Sequence, residues 1–397
     1  MNVDIVIVGA GPAGLCFAKS LAGTGLKILV IERQSTEALR DPVFDGREIA
    51  LTQRSVHILR ELGLWALLDP ADISPLQSAR VLNGHSLHAL IVAPSDKDDK
   101  ELGFLVPNDR IRRAAYAATE HEPGITLISD TAVYSLTLSD SQPRLQLADG
   151  SVVTARLIVA ADSRFSQLRR DAGIAADMHD FGKTMLVCRV ALEKPHQHQA
   201  LEWFDHGQTL ALLPLLGNEA SIVLTLPGQA MKSVMAMDEH RFNDEIRRRF
   251  DGRFGSMQLT STRHVYPLVA VYARRFVAPC FALIGDAAVG MHPVTAHGFN
   301  LGLLSVETLS SQIRQALATG QDMASARVLR RYQGAHRLAT LPLYLATLAI
   351  VKLFTNDRPP IRLARSALLR ASQALPPFRL SLAHMLAASG RGRGLVP

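Results

Sequence analysis

The chain opens on a short apolar strand pattern, residues 3–8, that runs straight into Gly9-Ala10-Gly11-Pro12-Ala13-Gly14. Leu15, Ala18 and Leu21 then recur at helical spacing, and a second apolar run, 27–31, stops at Glu32. Strand, G-x-G-x-x-G and helix in this order restrict the fold more than any other feature. Gly9 permits the tight turn, Gly11 lets a pyrophosphate approach the backbone, and Gly14 lets the helix pack on the sheet. An acidic residue at the end of the second strand takes a ribose hydroxyl pair. Glu32 holds that place, with Arg33 beside it as a further contact. A doubly wound α/β domain that binds a dinucleotide is the expectation.

A matching piece lies near the other end. The apolar run 280–284 stops at Gly285-Asp286, which reads as a buried strand ending in a tight turn. Gly298 then opens a helical pattern through Leu301, Leu304 and Leu309. A helix N-terminus offers unpaired N–H groups and partial positive charge. One carboxylate and one helix N-terminus, a short loop apart, suit a ligand with hydroxyls at one end and an electron-accepting ring at the other. FAD is such a ligand, although the N-terminal fingerprint alone does not separate NAD from FAD.

A third piece stands between them. Residues 157–160 form another apolar strand pattern, followed by Ala161-Asp162-Ser163-Arg164. Together the three segments resemble those of the group A FAD-dependent aromatic monooxygenases. Within that superfamily, His292-Pro293 with Ala296-His297-Gly298-Phe299-Asn300-Leu301-Gly302, and residues 46–65, look most like the ubiquinone-biosynthesis hydroxylases. Two positions depart from the family pattern: Ser163 stands where glycine is usual, and His297 where the quinone branch usually has glutamine.

The resemblance implies an FAD-dependent monooxygenase that uses NAD(P)H and O2 to hydroxylate the ring of a polyprenylated phenol or quinol. It implies that Asp286, with Gly285, holds the ribityl chain, and that the backbone of Gly298, Phe299 and Asn300 faces the flavin pyrimidine edge. Arg47 would help seat the cofactor, Asp162 would lie near the pyrophosphate, and Arg110 would reach a phosphate. His297 and Pro293 would border the reacting ring. No second G-x-G-x-x-G occurs, so no separate NADPH domain is expected. His292 and His297 lack the H-E-x-x-H arrangement, and no metal is expected. Hydroxylation of a soluble phenol and a catalytically inactive scaffold of a quinone-synthesis complex are the alternatives. Intact Gly9, Gly11, Gly14, Glu32 and Asp286 argue against the scaffold.

Charge is unevenly placed. Eight of the 43 basic residues but only one of the 36 acidic ones lie from Lys352 onward, so that segment carries the whole net charge of +7. Residues 361–375 place Arg362, Arg365 and Arg370 on one helical face and Ile361, Leu368 and Leu375 on the other. A basic amphipathic helix of this kind suits an anionic membrane surface, or docks on its own protein. Before it, residues 338–351 are uncharged and contain Pro342; such a stretch is too short to span a bilayer of roughly 30 Å as a helix. The N-terminus enters a strand without a basic leader. Cys16, Cys188 and Cys280 are scattered in apolar segments and read as buried thiols. A cytoplasmic enzyme peripherally associated with the inner membrane is expected. Other quinone-biosynthesis proteins are candidate partners and nucleic acid is not.

The expected fold class is α/β: an FAD-binding Rossmann-like domain with an inserted β-sheet substrate domain and a C-terminal helical tail. The FAD-binding domain is expected to be discontinuous, at 1–72, 106–177 and 276–340. Residues 73–105 and 178–275 form the substrate-binding domain, and 341–397 the basic helical region. Helices are expected at 53–61, 108–119 and 241–250, and an Asp149-Gly150 hairpin between two strands.

Overall fold

The computed structural model describes residues 1–84, 89–94, 101–140, 142–205 and 207–355. Two large sheets and one small one make up the frame. The first sheet has parallel strands Phe281–Leu283, Val152–Ala160, Asn2–Val8, Ile28–Ile31 and Ile125–Ile128, in that spatial order. All but the last are near-continuous runs of Val, Ile, Leu and Ala at their centre, as strands covered on both faces must be. The Asp149-Gly150 turn joins Arg144–Leu147 to Val152–Ala160 as an antiparallel hairpin, with Gly150 at φ 85°.

Register is what gathers the motifs. Val8 lies beside both Ile31 and Ala160, and Ala160 lies beside Leu283. The carboxyl ends of four neighbouring strands are therefore level. Gly9, Glu32, Asp162 and Gly285 leave the sheet side by side, although they come from positions spread over more than two thirds of the sequence. In open α/β sheets this edge is where ligands bind.

The second sheet is antiparallel apart from one parallel pair, Ser78–Asn83 with Gln199–Asp205. Its long central strand, Ala176–Leu192, pairs with His264–Ala273 on one side and Glu219–Pro227 on the other. Helices Gly228–Met235 and Glu239–Arg249 cover one face, burying Met231, Val234, Phe242 and Ile246 against Leu186, Cys188, Trp203 and Leu224. The other face turns towards the first sheet's ligand edge. Val289–Gly290, just after Asp286, pairs with His264–Ala273 and so ties the late loop to this sheet. A small sheet, Glu48–Thr52, Gly103–Pro107 and Ser74–Leu76, bridges the two. Glu48 does so directly: its carboxylate, with no exposed surface, takes bonds from Arg189 at 2.8 and 2.7 Å. Burial pushes the Glu48 carboxyl up to about 7 against the opposing pull of Arg189. Cys16, Cys188 and Cys280 are free and buried.

Helices fall at Gln53–Glu61, Asn108–Thr119 and Glu239–Arg249. The last helix corrects the sequence reading. Ala326–Thr355 is one helix of 30 residues with Pro342 inside it. By length and composition it could cross a membrane, a test that the core helix of a soluble protein also passes, and the uncharged stretch 338–351 lies inside it. Pro342 removes the bond to the Leu338 carbonyl. Both residues sit on the exposed outer face, where the freed carbonyl is open to solvent. The inner face holds the helix in place. The Tyr332 hydroxyl donates to the Leu283 carbonyl at 2.6 Å, and Thr340 and Tyr272 share a bond at 3.0 Å. The 361–375 helix expectation and the charged turn at 95–100 lie outside the described residues.

Candidate active site

The glycine loop is closed where protein must meet protein and open where a ligand must enter. A Cβ on Gly9 would lie 2.5 Å from the Ala161 carbonyl oxygen, and one on Gly14 would lie 1.9 Å from the Gly9 carbonyl oxygen. A Cβ on Gly285, at φ +58°, would reach 3.0 Å from the Ala13 Cβ. These three contacts lock the three motifs onto one another. Gly11 and Gly298 differ: a Cβ on either would meet nothing within 4 Å. Each stands at the start of a helix, Pro12–Ser20 and Gly298–Ala318, and neither helix has a side-chain cap or an acidic residue in its first turn. Their leading amides are left for an acceptor brought by a ligand.

Glu32 spans the loop. One carboxylate oxygen accepts from the Ala10 amide at 2.7 Å, the other from the Arg33 and Gln34 amides at 2.9 Å each. The Arg33 side chain is exposed beside it. Asp162 accepts from the Gln167 amide through one oxygen, while its other, buried oxygen has no partner. Burial raises its pKa above the ordinary carboxylate value, with hydrogen bonds from Ser166 and nearby amides working the other way. An orphaned buried acceptor beside the glycine loop marks a place where a polar ligand group would sit.

Asp286 pairs with Arg164 at 2.9 Å, an arginine of the central motif that the sequence reading left without a role. Arg47 takes a hold on Asp45, at 3.0 Å from Nε and 2.5 Å from Nη2, and lies over the Tyr266 ring. Burial works against its charge, but Asp45 more than offsets this and keeps the pKa above the usual arginine value. Tyr266 and Asp286 add to that hold. Asp45 also accepts from Asn108 at 2.8 Å. The Asp45-Gly46 turn signal could have drawn attention to this clamp, because Gly46 adopts φ 77°. Arg110 is paired with Asp72 at 3.1 Å and Asp109 at 3.6 Å.

The late loop is fixed by Asn300. Its Oδ1 accepts from the Thr52 amide at 3.1 Å and the Ser55 hydroxyl at 2.6 Å. Its Nδ2 donates to the Ala50 and Ala296 carbonyls at 2.8 and 2.9 Å. All of its side-chain capacity positions the helix start, so only its backbone is left to face a ligand. Phe299 packs on the main core, His297 is buried, and Pro293 is exposed. His292 caps the turn Pro293–Thr295, its Nδ1 accepting from the Val294 amide at 3.2 Å. The site thus has two uncapped helix starts, a ribose-type carboxylate in Glu32, an orphaned acceptor in Asp162 and a further carboxylate, Asp286, after the strand Phe281–Leu283. These residues fit FAD in their donor and acceptor chemistry.

The FAD binding domain family matches residues 2–340. The chain belongs to this family of FAD-dependent monooxygenases. Ubiquinone hydroxylase UbiM of Neisseria meningitidis is 44% identical over 96% of the chain and 83% of its own length. Ubiquinone hydroxylase UbiL of Rhodospirillum rubrum is 33% identical over 96% and 89%. Among solved structures, p-nitrophenol 4-monooxygenase PnpA of Pseudomonas putida shares the fold, with a TM-score of 0.76 at 17% identity over 97% and 98%. FAD is the monooxygenase's cofactor, with NAD(P)H the reductant usual in the family. FAD supplies the redox and oxygen-activating chemistry; the protein binds it, orients the substrate and excludes water.

Ser163 carries strain in this site. It sits at φ 143°, a conformation that favours glycine, with partial relief from the Phe165 amide donating to its hydroxyl at 3.3 Å. Such strain costs about 1–3 kcal/mol. Ser163→Gly should therefore raise the stability of the monooxygenase by about 1 kcal/mol after the entropy cost of glycine. Denaturant midpoints measure this. A lower midpoint would mean that the Phe165 bond outweighs the strain.

Proposed function

We propose that this monooxygenase hydroxylates the aromatic ring of a polyprenylated phenol or quinol intermediate in ubiquinone biosynthesis, using NAD(P)H and O2. The observation that carries the reading is the 44% identity, across nearly the whole chain, to a ubiquinone hydroxylase. In this reading Gly9, Gly11, Gly14, Glu32, Arg33 and Asp162 serve the adenosine and pyrophosphate end. Gly285, Asp286, Arg47 and the Gly298–Asn300 backbone serve the ribityl chain and ring. The second sheet covers the substrate. Deleting the gene in its source organism and profiling quinones by mass spectrometry tests the reading. Ubiquinone should fall and an under-hydroxylated prenylated intermediate should accumulate. An unchanged profile would contradict it.

His297 and Pro293 border the reacting ring in the same reading. His297→Gln should leave FAD occupancy intact while changing rate, coupling or the position of hydroxylation. Identical kinetics and product would leave His297 with a packing role alone.

A long-tailed quinol resides in the bilayer, so the enzyme meets it at an anionic membrane surface. Two features support this. Along the last helix Leu338 is 80% exposed and Leu345 54% exposed, on an outer face shared with Ala335, Ala339, Pro342 and Ala349. The basic segment follows directly, and each arginine near anionic lipid contributes about 1 kcal/mol. Flotation with anionic vesicles should show salt-sensitive association. Failure to float at low salt would remove the membrane from the account.

A further inference from the structure

Arg164 occupies the seam where the cofactor motifs meet the second sheet, and its guanidinium is forked across it. One amino group donates to the Val269 carbonyl at 3.0 Å, on the strand His264–Ala273. The other donates to Asp286 Oδ2 at 2.9 Å. The backbone of Arg164 is pinned as well. Arg169, only 2% exposed, donates from one nitrogen to the Arg164 carbonyl at 3.0 Å and to the Ala287 carbonyl at 3.1 Å. The residue that carries the fork and the residue after Asp286 thus share one donor. A Cβ on Gly290 would lie 3.0 Å from the Arg164 Cβ, so glycine there leaves room for the arginine stem.

The fork does two things to Asp286. It fixes one carboxylate oxygen, so the side chain is already ordered when a ligand arrives, and that ordering is not charged against binding. Only Oδ2 is taken, which leaves Oδ1 for a ligand hydroxyl. The fork also cancels a charge. FAD carries a dianionic pyrophosphate, and a bare carboxylate in the same site repels it. The Arg164 and Asp286 side chains are 29% and 36% exposed, so water and salt screen the pair less than they would on an open surface. Arginine suits both tasks because its charge is permanent and its planar N–H groups reach two acceptors at once.

We propose that Arg164 is a positioning residue that acts through Asp286, presenting its carboxylate to the ribityl chain of FAD and neutralising it against the pyrophosphate. The proposal rests on the assignment of Asp286 to the ribityl chain made above. Without Arg164, Asp286 is unordered and uncompensated, and FAD binds weakly. Without Asp286, Arg164 has nothing to present, and its further loss changes little.

The test is a double-mutant cycle on FAD affinity, read by the quenching of flavin fluorescence as apoprotein is titrated with FAD. Arg164→Met should melt near the wild-type temperature and bind FAD about tenfold or more weakly, the loss of one hydrogen bond to a charged group. Asp286→Asn should weaken FAD by a similar factor. The double variant should bind within about twofold of Asp286→Asn, because both substitutions remove the same interaction. Arg164→Lys keeps the charge without the fork and should fall between wild type and Arg164→Met. If Arg164→Met does not fold, the cycle is run with Arg164→Lys, whose loss should vanish in the Asp286→Asn background. Equal affinity in wild type and Arg164→Met overturns the proposal, as does a double variant whose loss is the product of the two single losses. If Asp286→Asn weakens FAD in either case, the ribityl assignment stands and only the role of Arg164 falls. If Asp286→Asn keeps full affinity, both fall together.

Discussion

Gly14→Ala will yield a protein without FAD and with a markedly lowered unfolding midpoint, whereas Gly11→Ala will lose FAD and keep its fold. The two glycines lie three residues apart in one motif, Gly11 at the cap of the helix Pro12–Ser20 and Gly14 inside it, and geometry separates them. A methyl on Gly14 would lie 1.9 Å from the Gly9 carbonyl oxygen, which is backbone and cannot swing aside. Relief requires the helix Pro12–Ser20 to lift from the strand end, and that breaks the packing of Leu15, Cys16, Phe17 and Ala18, all essentially fully buried. Overpacking of this kind costs about 1–3 kcal/mol, and more where backbone must move. A methyl on Gly11 meets no protein atom within 4 Å and would instead occupy the space through which a pyrophosphate approaches. Flavin content after gel filtration and denaturant midpoints check both variants. Retention of FAD by Gly11→Ala would mean that the pyrophosphate does not lie against this loop.

Glu202→Gln should stabilise the protein by about 2–3 kcal/mol at pH 7 and leave it unchanged at pH 4. The folded-state pKa is raised to about 8 by burial, from an ordinary value of 4.5. Between those values the unfolded chain releases a proton that the folded chain retains. The contribution of Glu202 to stability is therefore complete below pH 4.5 and lost progressively as pH rises towards 8. Glutamine fills the same space without ionising. His292 and His336, both pushed down to about 4, act in the opposite sense, losing stability as pH falls from 6.5 towards 4. They are common to both proteins and cancel in the difference. Paired denaturant titrations at the two pH values give the answer. An equal difference at both would mean that Glu202 ionises as freely in the fold as in the unfolded chain.

The parts of this molecule that are local in sequence were legible before the fold was known. Gly9 to Gly14 between a strand and a helix, the Asp149-Gly150 hairpin and the helix opening at Gly298 each carry their geometry in a few adjacent residues. Contacts between distant segments were not legible. Asn300 is expected to face the ligand through its backbone, but what holds that backbone was not legible: its side chain is spent on Ala50, Thr52, Ser55 and Ala296. Arg164 and Asp286 are 122 residues apart, and only the level strand ends bring them together. The last helix was not delimited in the sequence, because charge-free runs do not mark helix ends; Tyr332 and Thr340 fix it from the buried side.

The central claim is that this chain binds FAD and inserts one oxygen atom from O2 into a prenylated phenol. The most direct measurement supplies the purified, FAD-loaded protein with NADPH, 2-prenylphenol and isotopically heavy O2, and weighs the product. The account predicts a ring-hydroxylated product carrying one heavy oxygen atom, formed only when FAD, NADPH and the phenol are all present. Product oxygen derived from water, or NADPH oxidation that never yields a hydroxylated ring with any prenylated phenol, would contradict it.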